Sequence, residues 1–168
     1  CMVISNTDIQ SMKVIGKVMG LLGFVFVDRS RRKSIQELLD PTILMITKSQ
    51  VNMSFFPEGK SNDGVEIHPF KTPFFKIAID SNSGVQPLAF RWTHANGSAL
   101  SKEQLRFFTY FVTDGSIVLH LINILGLRKK RLSVKVLSTI SAEEISKNDW
   151  DRKDVSQQSE TSIRAAMS

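Results

Sequence analysis

The sequence is poor in cysteine and histidine, and it has no long uninterrupted apolar run. Its single cysteine, Cys1, can form no internal disulfide, which agrees with a reducing compartment. The longest apolar candidate, from Val14 to Val27, is interrupted by Lys17 and falls short of the roughly 20 residues that a membrane-spanning helix needs. None of the three histidines stands at metal-ligand spacing from a cysteine or a carboxylate, so the sequence predicts no metal site.

The composition is that of an ordinary globular protein. Apolar residues make up 42% and charged residues 23% of the chain, and its 168 residues fit one core. The net charge of +6 favours anionic partners such as phospholipid headgroups, phosphorylated cofactors or nucleic acid. Nucleic acid is not expected, because no recognition motif is present and the aromatic side chains lie in apolar runs instead of alternating with basic residues.

Apolar segments of strand length alternate with helical patterns along the chain. Strands are predicted at 2–4, 24–27, 51–56, 85–90 and 132–137, and helices at 9–22, 34–39, 41–46, 70–79, 117–127 and within 151–168. Asp40 and Pro41 are interpreted as an N-cap and a first helical residue that separate two helices. The order strand, helix, strand predicts a parallel crossover. The predicted fold class is α/β, a single-domain mixed and largely parallel sheet flanked by helices.

Two of the predicted strands end in charged residues. Arg29 follows the strand at 24–27, and Glu58 follows Phe56-Pro57 and precedes Gly59. Ligands of open α/β sheets bind outside the carboxyl ends of the strands, so a guanidinium and a carboxylate there make a candidate binding rim. Arginine suits a phosphate or a carboxylate because its planar fork donates two parallel hydrogen bonds. The alternative is that both side chains only end their strands and are solvated.

Three blocks of the sequence resemble a known family in order and spacing. The block from Gly23 to Arg29 (G-F-V-F-V-D-R) resembles the second block of glycerolipid acyltransferases of the 1-acylglycerol-3-phosphate type, and F-P-E-G at 56–59 is similar to the third. The stretch V-Q-P-L-A-F at 85–90 resembles the fourth. Asp63-Gly64, the P-F-K at 69–71, and Asp114 before the helix with His120 resemble the bacterial subgroup that includes lyso-ornithine-lipid acyltransferases.

The resemblance implies an O-acyltransferase. Such enzymes move a fatty acyl group from acyl-CoA or acyl carrier protein, the co-substrate, to the free hydroxyl of a lysolipid such as lysophosphatidic acid or lyso-ornithine lipid. The family's first block supplies a histidine as general base and an aspartate, four residues away, that orients it. This sequence contains no such pair. We expect it upstream of Cys1, so that the chain as given has no catalytic residue and binds without transferring.

The same resemblance assigns binding roles to five residues. Arg29 and the pair Glu58-Gly59 are expected to hold the polar head of the acceptor, with Pro57 and Pro87 shaping the neighbouring strand ends. The sequence departs from the commoner F-P-E-G-T-R form, because Lys60 and Ser61 follow Gly59. An acceptor without a phosphate, such as a lyso-ornithine lipid whose carboxylate pairs with Arg29, therefore remains an alternative.

The histidines of the chain do not replace the missing block. No aspartate follows any of them at the family's separation, and each has a plainer interpretation. His68 is predicted to be a solvated loop residue, His94 lies in a polar loop, and His120 is a partly buried residue of an apolar helix or part of a lipid-facing surface.

The basic run from Arg128 to Arg131 directly follows the apolar helix at 117–127. It is interpreted either as a solvated helix end that complements the helix dipole or as a contact with anionic lipid headgroups. Since a lysolipid acceptor resides in a bilayer, the resemblance implies a peripheral membrane surface and a location on the cytoplasmic face, with any anchor upstream of residue 1.

The predicted domain division is an acyltransferase domain at 1–150, lacking its catalytic block, and a helical tail at 151–168. A nonenzymatic lipid- or phosphate-binding remnant of such a domain is the alternative function.

Overall fold

The computed structural model describes residues 2–6, 15–21, 23–27, 32–49, 51–59, 64–109 and 117–167. The elements in order are β1 (Met2–Asn6), α1 (Ile15–Leu21), β2 (Phe24–Val27), α2 (Arg32–Ser49), β3 (Met53–Ser54), α3 (Phe75–Asp80), β4 (Leu88–Ala95), β5 (Ser98–Ala99), α4 (Lys102–Thr109), α5 (Ile117–Gly126), β6 (Arg131–Val136), α6 (Ala142–Lys147) and α7 (Arg152–Met167). They group into two compact units. The first comprises Cys1–Pro57, Lys71–Val85 and Ser141–Ser156, and the second comprises Glu58–Phe70, Gln86–Ile140 and Gln157–Ser168.

The first unit is built on a three-stranded parallel sheet with the order β2-β1-β3. Val3 of β1 is opposite Phe24 of β2, and Met2 is opposite Met53 of β3. Parallel strands of one sheet need a crossover connection, and α2 supplies one between β2 and β3, which lie on either side of β1. The predicted parallel crossover is thereby confirmed, and so is the α/β fold class.

The core of the first unit lies between this sheet and two helices. Ile4 of β1 is fully buried, and Leu39 of α2 and Ile77 of α3 pack in the same cluster. Phe55, just after β3, contacts Phe74 and Phe75 with ring centroids 5.8 and 5.1 Å apart. The F-P-E-G stretch therefore begins at an aromatic cluster that fixes where β3 ends.

The helix break predicted at Asp40-Pro41 was wrong. Residues 32–49 form one continuous helix, α2, with Pro41 inside it. A proline in a helix interior removes one backbone hydrogen bond, but both halves of α2 are held by burial. Leu39 lies on one side of Pro41 and Thr42 on the other, and both are almost fully buried. Tertiary packing outweighs the local stop signal.

Two strands begin or end elsewhere than the pattern predicts. Of the predicted strand at 51–56 only Met53–Ser54 pairs, as β3. The strand predicted at 85–90 begins at Leu88 and runs on to Ala95, so that Pro87 precedes β4 instead of lying in it. Proline has no N–H to give to a ladder, which explains why pairing starts after it.

The second unit contains an antiparallel sheet with the order β5-β4-β6. β4 turns into β5 at Asn96-Gly97, where both residues have positive φ, 51° and 86°. This is the backbone that two-residue hairpins require and that Asn-Gly sequences favour. The prediction of a polar loop from Thr93 was wrong in part, since β4 continues to the turn.

The ribbon formed by β4 and β6 has one apolar and one polar face. Side chains point to the two faces alternately along each strand, and the register pairs apolar residues of β4 with apolar residues of β6. We call the first set the apolar ribbon face: Leu88, Phe90 and Trp92 of β4 with Val136, Val134 and Leu132 of β6. The alternation of Val134 and Val136 with Ser133 and Lys135 predicts a half-buried strand, but Val134 and Val136 are 47% and 69% exposed.

Three further helices, α4, α5 and α7, are compared with the sequence predictions. α4 buries Leu105 and Phe108, and the Phe108 ring lies 5.3 Å from Trp92. α5 confirms the predicted apolar helix, and α7 confirms helical structure in the C-terminal stretch. The division into a domain at 1–150 and a tail at 151–168 stays a prediction.

Candidate functional site

The F-P-E-G stretch forms a turn directly after β3. Pro57 and Glu58 make the turn, and Gly59 has φ +74°, a conformation that favours glycine. The backbone N–H of Lys71 donates to the Pro57 carbonyl at 2.8 Å, so the chain returns to the turn fourteen residues later. The proline and glycine thus define the backbone on both sides of Glu58.

The Glu58 side chain turns back onto its own loop. Its Oε2 accepts the backbone N–H of His68 at 2.8 Å, and the carboxylate is half-buried. A carboxylate that accepts a backbone N–H holds two parts of a loop together. That Glu58 positions the site and is not its catalyst stays a prediction.

The other predicted binding residues lie at different places in the chain. Pro87 is buried just before β4, and its carbonyl accepts the N–H of Leu137 at 3.1 Å. This bond joins the entrance of β4 to the exit of β6 and holds the backbone at Pro87. Arg29, Lys60 and Ser61 lie outside the described residues, so their predicted roles stay predictions.

The three histidines have separate surroundings. His68 is half-buried in the Glu58 loop and contributes its backbone N–H there. His94 belongs to β4, not to a loop as predicted, and its Nδ1 lies 3.1 Å from Thr93 Oγ1. His120 is half-buried in α5, 6.5 Å from the Phe107 ring, as the partly buried interpretation predicts. Within the described ranges, no three His, Cys, Asp or Glu side chains are grouped to hold a metal ion.

Sequence reasoning missed the partners of the loop that follows Glu58. Glu160 Oε2 accepts the N–H of Phe70 at 2.8 Å, and Arg164 donates to the Ile67 carbonyl at 2.6 Å. Both side chains come from α7, about ninety residues further along the chain. The only local signal is their spacing of four residues, which places them on one helix face. That spacing does not identify a distant loop as the target.

The basic run 128–131 lies at the tip of the ribbon, and we call it the basic tip. The N–H of Arg128 donates to Asn96 Oδ1 at 2.9 Å, so the run packs on the hairpin turn. Lys130 donates to the Ile124 carbonyl at 2.9 Å and thus caps α5. Arg128, Lys129 and Arg131 are exposed. No helix among the described residues is long and apolar enough to cross a bilayer.

The parallel strands with helices packed on them define a class, the α/β proteins, whose ligands commonly bind at the carboxyl edge of the sheet. Comparisons with known proteins identify the family within this class. The family model described as Acyltransferase matches residues 1–91, slightly more than half of the chain, and the match includes F-P-E-G and Pro87. The chain belongs to this acyltransferase family.

Relatives with stated activities cover nearly all of the chain. It is 27% identical over 164 residues to a 1-acyl-sn-glycerol-3-phosphate acyltransferase of Neisseria gonorrhoeae, covering 98% of the chain and 60% of the relative. It is 27% identical over 171 residues to a lyso-ornithine lipid O-acyltransferase of Rhodobacter capsulatus, covering 98% of the chain and 57% of that protein. The resemblance seen in the three sequence blocks is thereby confirmed.

The fold has a solved counterpart. The crystal structure of the 1-acyl-sn-glycerophosphate acyltransferase from Thermotoga maritima matches with a TM-score of 0.57 at 13% identity, covering 99% of the chain and 55% of that structure. At this identity the match concerns the fold alone. The chain spans a little more than half the length of these relatives.

Proposed function

We propose that the chain is the acceptor-binding part of a lysolipid acyltransferase. Its acceptor is a lysolipid with an anionic head, either 1-acylglycerol-3-phosphate or lyso-ornithine lipid, and the acyl donor is acyl-CoA or acyl carrier protein. The observation that carries the proposal is the F-P-E-G turn at the end of β3, inside the stretch that the acyltransferase family model matches. Both acceptor classes are named among the relatives.

Each residue of the site has a proposed task. Gly59 lets the backbone approach the acceptor head closely, because it has a positive φ and carries no Cβ. Glu58 keeps that backbone in place through His68. Arg29 pairs with the phosphate or carboxylate of the head, since its guanidinium binds either group with two bonds. Pro57 and Pro87 fix the backbone where β3 ends and β4 begins.

We further propose that these 168 residues bind the acceptor without transferring an acyl group. Transfer requires a base that takes the proton of the lipid hydroxyl. None of the three histidines is followed by an aspartate at the family's spacing. A nonenzymatic lipid-binding protein is the second candidate function, and the same missing pair favours it.

A peripheral contact with an anionic bilayer completes the proposal. The basic tip presents three exposed cations, and Ile122 and Leu125 of the preceding helix are 57% and 73% exposed. Basic residues beside a shallow apolar surface are the usual composition of interfacial contacts.

The proposal is tested by the affinity of the chain for a short-chain 1-acylglycerol-3-phosphate, kept below its critical micelle concentration. We expect saturable binding, and Gly59→Ala should weaken it about tenfold because a Cβ blocks close approach. Gly97→Ala is the matched control: Gly97 also has positive φ, so the backbone cost of about 1 kcal/mol is similar.

The control variant should bind as the wild type does. A parallel titration with a short-chain lyso-ornithine lipid identifies which head is preferred. Equal loss in both glycine variants, or no binding of either lipid to the wild type, would contradict the proposal.

A further inference from the structure

The loop at residues 64–70 is fixed by three side chains that bind its backbone. Glu58 accepts the N–H of His68 at 2.8 Å, Glu160 accepts the N–H of Phe70 at 2.8 Å, and Arg164 donates to the carbonyl of Ile67 at 2.6 Å. One of the three comes from the F-P-E-G turn and two come from α7. Charge-assisted bonds to backbone groups are among the stronger hydrogen bonds. The loop thus connects Glu58 to α7.

The two α7 residues are also bound to each other. Arg164 Nε donates to Glu160 Oε1 at 2.8 Å, while Oε2 of the same carboxylate holds Phe70. The side chains are 43% and 23% exposed, and an exposed pair of this kind contributes little stability by itself. What the pair does instead is fix the direction of both side chains toward the loop, because each group has one partner on the helix and one on the loop.

The C-terminal end of α7 is held in turn by the polar face of the ribbon. Lys135 of β6 donates to the carbonyl of Ala166 at 2.5 Å, and Arg91 of β4 donates to that of Met167 at 3.3 Å. Two cations at the end of a helix satisfy carbonyls that lack helical partners and complement the dipole. The part of α7 that carries Glu160 and Arg164 therefore has a fixed position relative to the ribbon.

We propose that Glu160 and Arg164 are positioning residues for the acceptor site. They hold the loop at 64–70, and through His68 the loop holds the Glu58 carboxylate and with it the turn at Gly59. Neither residue touches the acceptor. The inference rests on the proposed function, because it assigns α7 the task of keeping the F-P-E-G turn in its binding geometry.

The test compares three variants of the full chain. Glu160→Ala removes the acceptor of the Phe70 N–H, and Glu160→Gln keeps an oxygen that accepts it. The exchange of charges, Glu160→Arg with Arg164→Glu, keeps an ion pair on the helix, but a guanidinium cannot accept the N–H of Phe70. The probe is the short-chain 1-acylglycerol-3-phosphate, and amide hydrogen exchange at His68 and Phe70 is measured on the same samples.

We expect Glu160→Ala and the charge exchange to weaken lysolipid binding about tenfold and to speed exchange at both amides, whereas Glu160→Gln should stay within about threefold of the wild type. The melting temperature should fall only slightly, because Glu160→Ala and the charge exchange remove one backbone acceptor and the ion pair at the helix surface contributes little by itself. The matched control is the charge exchange at Lys76 and Asp80, which form an i,i+4 ion pair in α3 at 2.5 Å. It should leave the affinity unchanged.

Two outcomes overturn the inference in different ways. If the wild type binds the lysolipid and the Glu160/Arg164 exchange binds equally well, α7 does not position the site, while the proposed function stands. If the wild type binds no lysolipid, the proposed function fails and takes the inference with it. Restored binding in Glu160→Gln distinguishes positioning through Phe70 from a general loss of fold.

Discussion

The parallel sheet of the first unit and the antiparallel ribbon of the second differ in how far their apolar side chains are buried. In the first unit the strand residue Ile4 is fully buried, and Phe75 of α3, whose ring centroid lies 5.1 Å from that of Phe55, is 2% exposed. In the ribbon, Phe90 and Val134 face each other across β4 and β6 and are each 47% exposed. Continuous apolar runs predict the strands of the first unit, and alternation of apolar and polar residues predicts β6. Neither pattern predicts what covers the apolar side chains.

The difference bears on function. A core that buries its aromatic residues holds the end of β3, where the F-P-E-G turn begins, and a turn that must bind needs such support. The ribbon leaves apolar side chains exposed next to the basic tip. Exposed apolar surface beside positive charge is typical of surfaces that contact lipid. The first unit therefore holds the end of β3, and the second contains Glu58, Gly59 and the surface we propose for the bilayer.

The comparison is tested most strongly by truncating one phenylalanine in each unit. Phe75→Ala should lower the free energy of unfolding of the first unit by about 3–5 kcal/mol, the usual cost of removing a buried aromatic ring. Phe90→Ala should cost the second unit about 1 kcal/mol, because half of its ring is already in water. Chemical denaturation followed by tryptophan fluorescence measures both values.

The chain offers one tryptophan reporter in each unit. Trp150 belongs to the first unit and Trp92 to the second, and the sequence has no others. Phe75→Ala is measured with Trp92→Phe in place, and Phe90→Ala with Trp150→Phe, each against its single-tryptophan parent. If Phe75→Ala and Phe90→Ala lowered the free energy of unfolding equally, the apolar ribbon face would be covered in solution. The proposed difference in burial between the two units would then be wrong.

A smaller effect is expected at the basic tip. Lys129→Glu should weaken the binding of the chain to anionic phosphatidylglycerol vesicles about tenfold, because each basic residue near such a surface contributes about 1 kcal/mol and the substitution reverses one charge. Lys129 is exposed and lies at the hairpin turn, so the fold should be unaffected. Vesicle sedimentation at low and high salt measures the loss and its screening.

Lys153→Glu is the matched control, since Lys153 is equally exposed and lies in the first turn of α7, where a carboxylate is well tolerated. The same loss in both variants would indicate a response to net charge alone. Unchanged binding in Lys129→Glu would remove the basic tip from the proposed contact.

Much of the first unit was predictable because its signals are local. Strand, helix and strand patterns gave the crossover, and β2 occupies the predicted residues, 24–27. Pro41 shows where local signals fail: a proline predicts a helix end, but Leu39 and Thr42 are buried on either side of it, and that packing is a property of the folded chain. The exposure of Val134 and Val136 was unpredictable for the same reason.

Part of the candidate site was also predictable from local signals in the sequence, and part was not. The F-P-E-G turn and its positive-φ glycine were predictable from the residues themselves. The partner of Glu58 was not, because the acceptor of a backbone N–H depends on loop geometry and not on the side chain of His68. The contacts of Glu160 and Arg164 with the loop were not predictable either, because an E-x-x-x-R spacing on a helix does not identify a loop ninety residues earlier as the partner.

The most direct test of the central claim is to measure lysolipid binding and acyl transfer with the same preparation of the 168-residue chain. Purified chain is titrated with short-chain 1-acylglycerol-3-phosphate and then incubated with radiolabelled acyl-CoA, or with acyl carrier protein carrying the same label. We predict saturable binding, weakened in Gly59→Ala, and no labelled diacyl product above the protein-free reaction. Sustained formation of diacyl product by the wild-type chain would contradict the account.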